Sequence, residues 1–138
     1  MVYLATFILF FTCLQLFVSF VNLVFRQKLS GIVKHQNQLV SVLIPARNEG
    51  QSIGCLLSDL LNQNYKHLEI WVFDDDSADD TAQIVTEFAQ KDDRIKLLQS
   101  TKLPEGWLGK NFACHSLAQK AKGKWFLFLD ADVRTSDQ

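Results

Sequence analysis

Residues Val2 to Phe25, VYLATFILFFTCLQLFVSFVNLVF, carry no charged side chain. A segment this apolar on every face has no place on a water-soluble surface and constrains the chain before anything else does. As a helix, 24 residues span roughly 36 Å at about 1.5 Å each, against a hydrocarbon core of about 30 Å. Residues 1–25 therefore read as one transmembrane helix crossing with some tilt. A cleaved signal peptide would carry a basic region before the apolar run and a small-x-small site after it, and neither is present. Arg26, Lys28 and Lys34 follow directly, and basic flanks stay on the cytoplasmic side. The expectation is a single-pass anchor in the cell (inner or plasma) membrane, a juxtamembrane linker over 26–38, and a cytoplasmic C-terminal domain. Gln15, Ser19 and Asn22 fall on one helical face, as polar groups tolerated near helix ends.

The rest of the chain carries nearly all the charge, 14 basic against 15 acidic side chains, which leaves a formal net charge of -1. That balance lacks the basic excess of a nucleic-acid partner. Cys13, Cys55 and Cys114 form no CxxC and no metal spacing, which fits reduced core thiols. His35, His67 and His115 are scattered, so a zinc site is not expected.

From Leu39 the apolar period switches back and forth. LVSVLIP (Leu39 to Pro45) is a nearly continuous apolar run, the mark of a strand covered on both faces. Ile53, Leu56, Leu57, Leu60 and Leu61 recur at helical spacing, so Gln51 to Asn64 reads as an amphipathic helix. LEIWVF (Leu68 to Phe73) is a second buried strand, and Ser77 with Asp80 has the form of a capping box before the helix that carries Ile84, Val85 and Phe88. RIKLL (Arg94 to Leu98) gives a third strand. Phe112 to Ala121 gives a helix closed by Gly123, and Lys124 to Leu129 a fourth strand. Alternation of this kind predicts an α/β fold with a mainly parallel sheet and crossover helices. Ligands of such sheets sit outside the carboxyl ends of the strands.

The polar residues at those ends are Arg47, Asn48 and Glu49 after the first strand, Asp74 to Asp76 after the second, and Asp130 and Asp132 after the fourth. Three consecutive aspartates repel one another unless something answers the charge. Asp76 and Asp79 fit helix capping, whereas Asp75 at a strand end suits a base N–H or a ribose hydroxyl. Asp130 and Asp132, two apart in a straight strand, would point the same way and converge on one cation. Their hard oxygens suit Mg²⁺ or Mn²⁺, which complete their shells with substrate phosphates. Lys110 opens a helix, where the macrodipole disfavours a cation unless an anion lands there. Trp107 and Leu108 are apolar loop residues that either pack beneath the loop or line a ligand cleft. Cys114 and His115 read as helix-packing residues, since no third group orients them.

With these residues in place the chain resembles a family 2 glycosyltransferase of the Rossmann-like GT-A fold, over Leu39 to about Arg134. The resemblance is carried by VSVLIPARNEG, by IWVFDDDSADDT against the pattern DDGSxDxT, by PEGWLGKNFAC and by FLDADV for the DxD motif. The GWLGK loop is most similar to the membrane-associated branch with carotenoid- and hopanoid-linked enzymes. The resemblance implies that Ala46, Arg47 and Glu49 border the nucleotide, that Asp75 contacts uracil, and that Lys110 lies near the base or diphosphate. It also implies that Asp130 contacts the ribose side and that Asp132, with Asp130, ligates Mn²⁺ or Mg²⁺. The implied reaction is an inverting, metal-dependent transfer of sugar from a nucleotide-diphosphate sugar, a UDP-sugar, to a lipid or small-molecule acceptor at the membrane. Asp76 departs from the family, which has Gly or Asn there.

The resemblance places the catalytic base beyond Gln138, so 39–138 is expected to be a truncated donor-binding region whose fourth strand lacks its usual cover. The alternative is a membrane-tethered fragment that binds nucleotide sugar or a partner without turnover. A receiver domain would need its acidic pair after the first strand, and a dehydrogenase GxGxxG there. A nucleotidyltransferase would need a glycine-rich basic loop at the same place. PARNEG is none of these.

Overall fold

The computed structural model describes residues 2–25, 37–100 and 103–135. The chain divides into two compact units, Met1–Lys34 and His35–Gln138. Arg26, Lys28, Lys34 and nearly all of the expected linker lie outside the described residues.

In the first unit α1 (Val2–Val24) is a 23-residue helix, long and apolar enough to cross a membrane. Its threonine hydroxyls are satisfied on its own backbone: Thr6 donates to the carbonyls of Val2 and Tyr3, and Thr12 to that of Ile8. Such local bonds remove the need for water, which hydrocarbon does not supply.

The second unit runs β1 (Val40–Ala46), α2 (Ile53–Asn62), β2 (Leu68–Asp74), α3 (Thr81–Lys91), β3 (Ile95–Gln99), α4 (Gly109–Lys120) and β4 (Trp125–Phe128). The four strands form one parallel sheet in the order β3-β2-β1-β4. The parallel α/β expectation holds, and the apolar runs explain it. Val42, Ile44 and Ala46 of β1 bury one face with Ile53, Leu56, Leu57 and Leu60 of α2 and Val85 of α3. Leu43 and Phe73 bury the other with Ala113 and Leu117 of α4. Every inner strand is thus covered twice, as parallel pairing requires.

The chain walks outward from β1 through β2 to β3, then returns over α4 to place β4 on the far side of β1. Strand order therefore reverses between β1 and β4, where an open sheet leaves a crevice at its carboxyl end.

Four local expectations change. Asp130 and Asp132 do not lie in a straight strand, because β4 ends at Phe128 and the pair flanks a turn in which Val133 N–H donates to the Asp130 carbonyl. Gly123 does not cap α4. The helix ends on Ala121 in extended backbone, and Gly123 is needed because a Cβ there would stand 2.6 Å from the backbone nitrogen of Ser41. No capping box forms between Ser77 and Asp80; α3 starts at Thr81, and Asp79 accepts its N–H. Cys55 is exposed and not a core thiol. β4 lies at the edge of the sheet, and its residues are 45–54% exposed.

Candidate functional site

The loops after β1, β2 and β4 meet the first turn of α4 around a cleft of about 450 Å³. Ala46, Arg47, Glu49, Asp75, Lys110, Asp130 and Asp132 all line it, with Pro45, Gly109, Ala113 and Ala131. All seven residues singled out from the sequence therefore face one space, although they span more than half of the chain.

Two loops are pinned together to make the first wall. Asn48 N–H donates to Ser77 Oγ, and Ala78 N–H donates to the Asn48 side-chain carbonyl. Glu49 N–H donates to Thr81 Oγ1, and Gly50 N–H to the Asp79 carboxylate. The Thr81 hydroxyl, which also donates to Asp79 and contributes most, and the Gly50 N–H hold Asp79 below the usual carboxylate range. The Glu49 carboxylate accepts the Ser52 hydroxyl at 2.9 Å, which closes the turn into α2. Asn48 and Asp76 both occupy left-handed backbone, at φ 56° and 54°. The position where the resembled family has Gly or Asn is thus one where a Cβ is unfavourable.

The second wall is α4. Lys110 donates to Asp130 at 2.6 Å, a bond and charge that together raise the lysine pKa. Across the cleft Arg47 lies 3.5 Å from Asp75, whose side chain is 18% exposed. The lining holds four carboxylates against two cations. An anionic diphosphate meets net repulsion there unless a divalent cation joins it, and hard carboxylate oxygens are the donors such an ion prefers. The chemistry of the lining therefore suits a hard divalent cation such as Mg²⁺ or Mn²⁺. Among the described residues no group of three or more His, Cys, Asp or Glu side chains forms an all-protein cage.

Asp74 ends β2 but does not line the cleft; it is buried, with one carboxylate oxygen lacking a hydrogen-bond partner. Trp107 packs edge-on against Phe112 and lies 5.0 Å from the His115 ring, so it packs on α4 and is not part of the lining. Leu108 is exposed at the N-cap of α4. Cys114 is half-buried, and His115 is exposed beside Gln119. Sequence reasoning missed Gly109 and the Asn48 clasp. The signal for the second was an Asn just past the end of a strand, a residue type enriched in left-handed backbone.

Comparison with known proteins follows the same outline. The model for Glycosyl transferase family 2 matches residues 41–138. The 4,4'-diaponeurosporenoate glycosyltransferase of Staphylococcus haemolyticus is 36% identical over 101 residues, 73% of this chain and 26% of its own length. The UDP-Glc:alpha-D-GlcNAc-diphosphoundecaprenol beta-1,3-glucosyltransferase WfgD of Escherichia coli is 38% identical, over 68% of this chain and 35% of its own. Among solved structures, the Pyrobaculum calidifontis mannosyltransferase PcManGT in complex with GDP-Man and Mn²⁺ superposes with a TM-score of 0.68 at 23% identity. The match covers 86% of this chain and 35% of that one, which shows the shared fold. This chain thus spans between a quarter and about a third of these relatives. The chain belongs to glycosyl transferase family 2.

Proposed function

We propose that this chain supplies the donor-binding part of a membrane-anchored, metal-dependent, inverting glycosyltransferase that moves sugar from a UDP-sugar to a lipid acceptor. The observation that carries the reading is convergence: Asp75, Lys110 and Asp132, from three separate segments, line one cleft at the strand-order reversal. In this reading Asp75 accepts the uracil N–H, Arg47 and Glu49 border the base, and Asp130 takes the ribose side. Lys110 leaves Asp130 for the diphosphate, exchanging one charge-assisted bond for another. Asp132, assisted by Asp130, holds Mn²⁺ or Mg²⁺, an ion that when bound offsets charge on the departing diphosphate.

The named relatives support the acceptor class. One is a carotenoid-acid glycosyltransferase by name, and the other acts on a diphosphoundecaprenol from UDP-Glc. PcManGT is in complex with both GDP-Man and Mn²⁺. Helix α1 is the proposed anchor, and Arg26, Lys28 and Lys34 after it favour a cytoplasmic catalytic unit.

The test is UDP titration of the full chain in detergent, with and without Mn²⁺. Asp132→Ala is expected to abolish the metal-dependent part of the affinity. The same affinity in wild type and variant, with and without manganese, refutes the metal role.

A further inference from the structure

Gly109 opens α4 between Asp75 and Lys110 in the cleft lining. A Cβ at this position would stand 2.6 Å from Oδ2 of Asp75 and 3.6 Å from its Cγ. The first distance is far inside carbon–oxygen contact, so the carboxylate and a side chain at 109 exclude each other. Asp75 would have to swing its carboxylate off this place to admit one. Its backbone N–H donates to the Ala46 carbonyl at 2.9 Å, and the same Oδ2 faces Arg47 at 3.5 Å. Nothing in the backbone at 109 asks for glycine, because the only glycine among the described residues with positive φ is Gly106. Alanine is also the better helix former. The space beside Asp75 is the one structural reason for glycine here.

We propose that Gly109 is a positioning residue for nucleobase recognition: its missing side chain makes room for the Asp75 carboxylate at the mouth of α4, aimed into the cleft. The inference rests on the nucleotide reading above and adds to it a residue that never touches the ligand through a side chain of its own.

A double-mutant cycle on the full chain in detergent tests it, with calorimetric UDP titration in Mg²⁺ of wild type, Gly109→Ala, Asp75→Ala and the double variant. Gly109→Ala is expected to weaken UDP about tenfold, the size of one charge-assisted hydrogen bond. In the Asp75→Ala background the same change is expected to cost less than about twofold, since the displaced group is gone. The melting temperature of Gly109→Ala without ligand is expected to hold or rise, which a merely structural glycine would not allow. UDP affinity unchanged by Gly109→Ala overturns the inference, as does an equal loss in both backgrounds. Wild-type chain that binds no UDP overturns the nucleotide reading itself, a different result.

Discussion

At the end of the sheet opposite the cleft, Glu69 is buried, 5% exposed, and surrounded by donors. It accepts the Ser41 hydroxyl and the Lys122 backbone N–H at 2.6 Å each, Trp71 Nε1 at 3.1 Å, and faces Lys96 Nζ at 3.5 Å. Burial alone would push this carboxyl up. The bonds from Ser41, Lys122 and Trp71 and the charge of Lys96 outweigh it, and hold the pKa at about 2 against an ordinary 4.5. Holding the carboxyl that far below its ordinary value corresponds to about 3 kcal/mol of folding stability, a large share of the roughly 5–15 kcal/mol of an ordinary domain. Glu69→Gln removes that charge and turns an amide NH₂ toward Trp71 and Lys96, donor against donor. It is expected to lower unfolding free energy by about 3 kcal/mol at pH 7. Because the folded-state pKa is depressed, the stabilisation is complete above pH 4.5 and is lost as pH falls toward 2. Urea unfolding of the full chain in detergent, followed at several pH values, reads both quantities. The gap between wild type and variant should be wide at pH 7 and should close through that acid window. A gap that is absent at neutral pH, or that stays constant into acid, refutes the reasoning.

Gly123→Ala drives a Cβ to within 2.5 Å of Ser41 Oγ and 2.8 Å of the Leu39 carbonyl, and should cost about 2–3 kcal/mol in the same unfolding assay. An unchanged midpoint would show that the connection to β4 yields freely. Asp76→Gly relieves left-handed backbone at φ 54° and one of three adjacent acids. It should raise stability by about 0.5–1 kcal/mol while leaving UDP affinity within about twofold; a lower melting temperature would contradict it.

The fold was legible because burial on both faces writes continuous apolar runs. LVSVLIP and LEIWVF had no other reading, and the 3.6-residue stripe from Ile53 to Leu60 lies against them as expected. The start of α4 was less legible, since the two glycines of GWLGK read as loop, yet the helix begins at the second of them, Gly109. The cleft residues were readable as acids and bases at strand ends. What holds them was not. Asn48 and Ser77 are 29 positions apart, and no periodicity relates them; only the side-by-side register of β1 and β2, which pairs Ala46 with Asp74, brings their loops together. Glu69 is illegible for the same reason: within LEIWVF it reads as an ordinary interruption of a strand, and its partners come from β1, β3 and the α4–β4 connection.

The two ends of this sheet treat carboxylates in opposite ways. Glu69 at the amino end is buried and fully answered by short bonds from fixed donors, and a group in that state contributes stability and has nothing left to offer a ligand. At the carboxyl end the answering cations are long, exposed side chains, Lys110 66% exposed against Asp130 and Arg47 65% exposed against Asp75. Exposed pairs of this kind contribute little to folding, roughly 0–1 kcal/mol, so a ligand displaces them at small cost. The lining also keeps two more carboxylates than cations, an imbalance that folding alone gives no reason to retain and that a divalent ion would remove. The rigid parts of the carboxyl end are its frame, the Asn48 clasp and the Gly109 gap, and neither carries the exchangeable charge. Separating a fixed frame from loosely held ion pairs leaves the cleft preorganised in shape while its charges stay free to change partners.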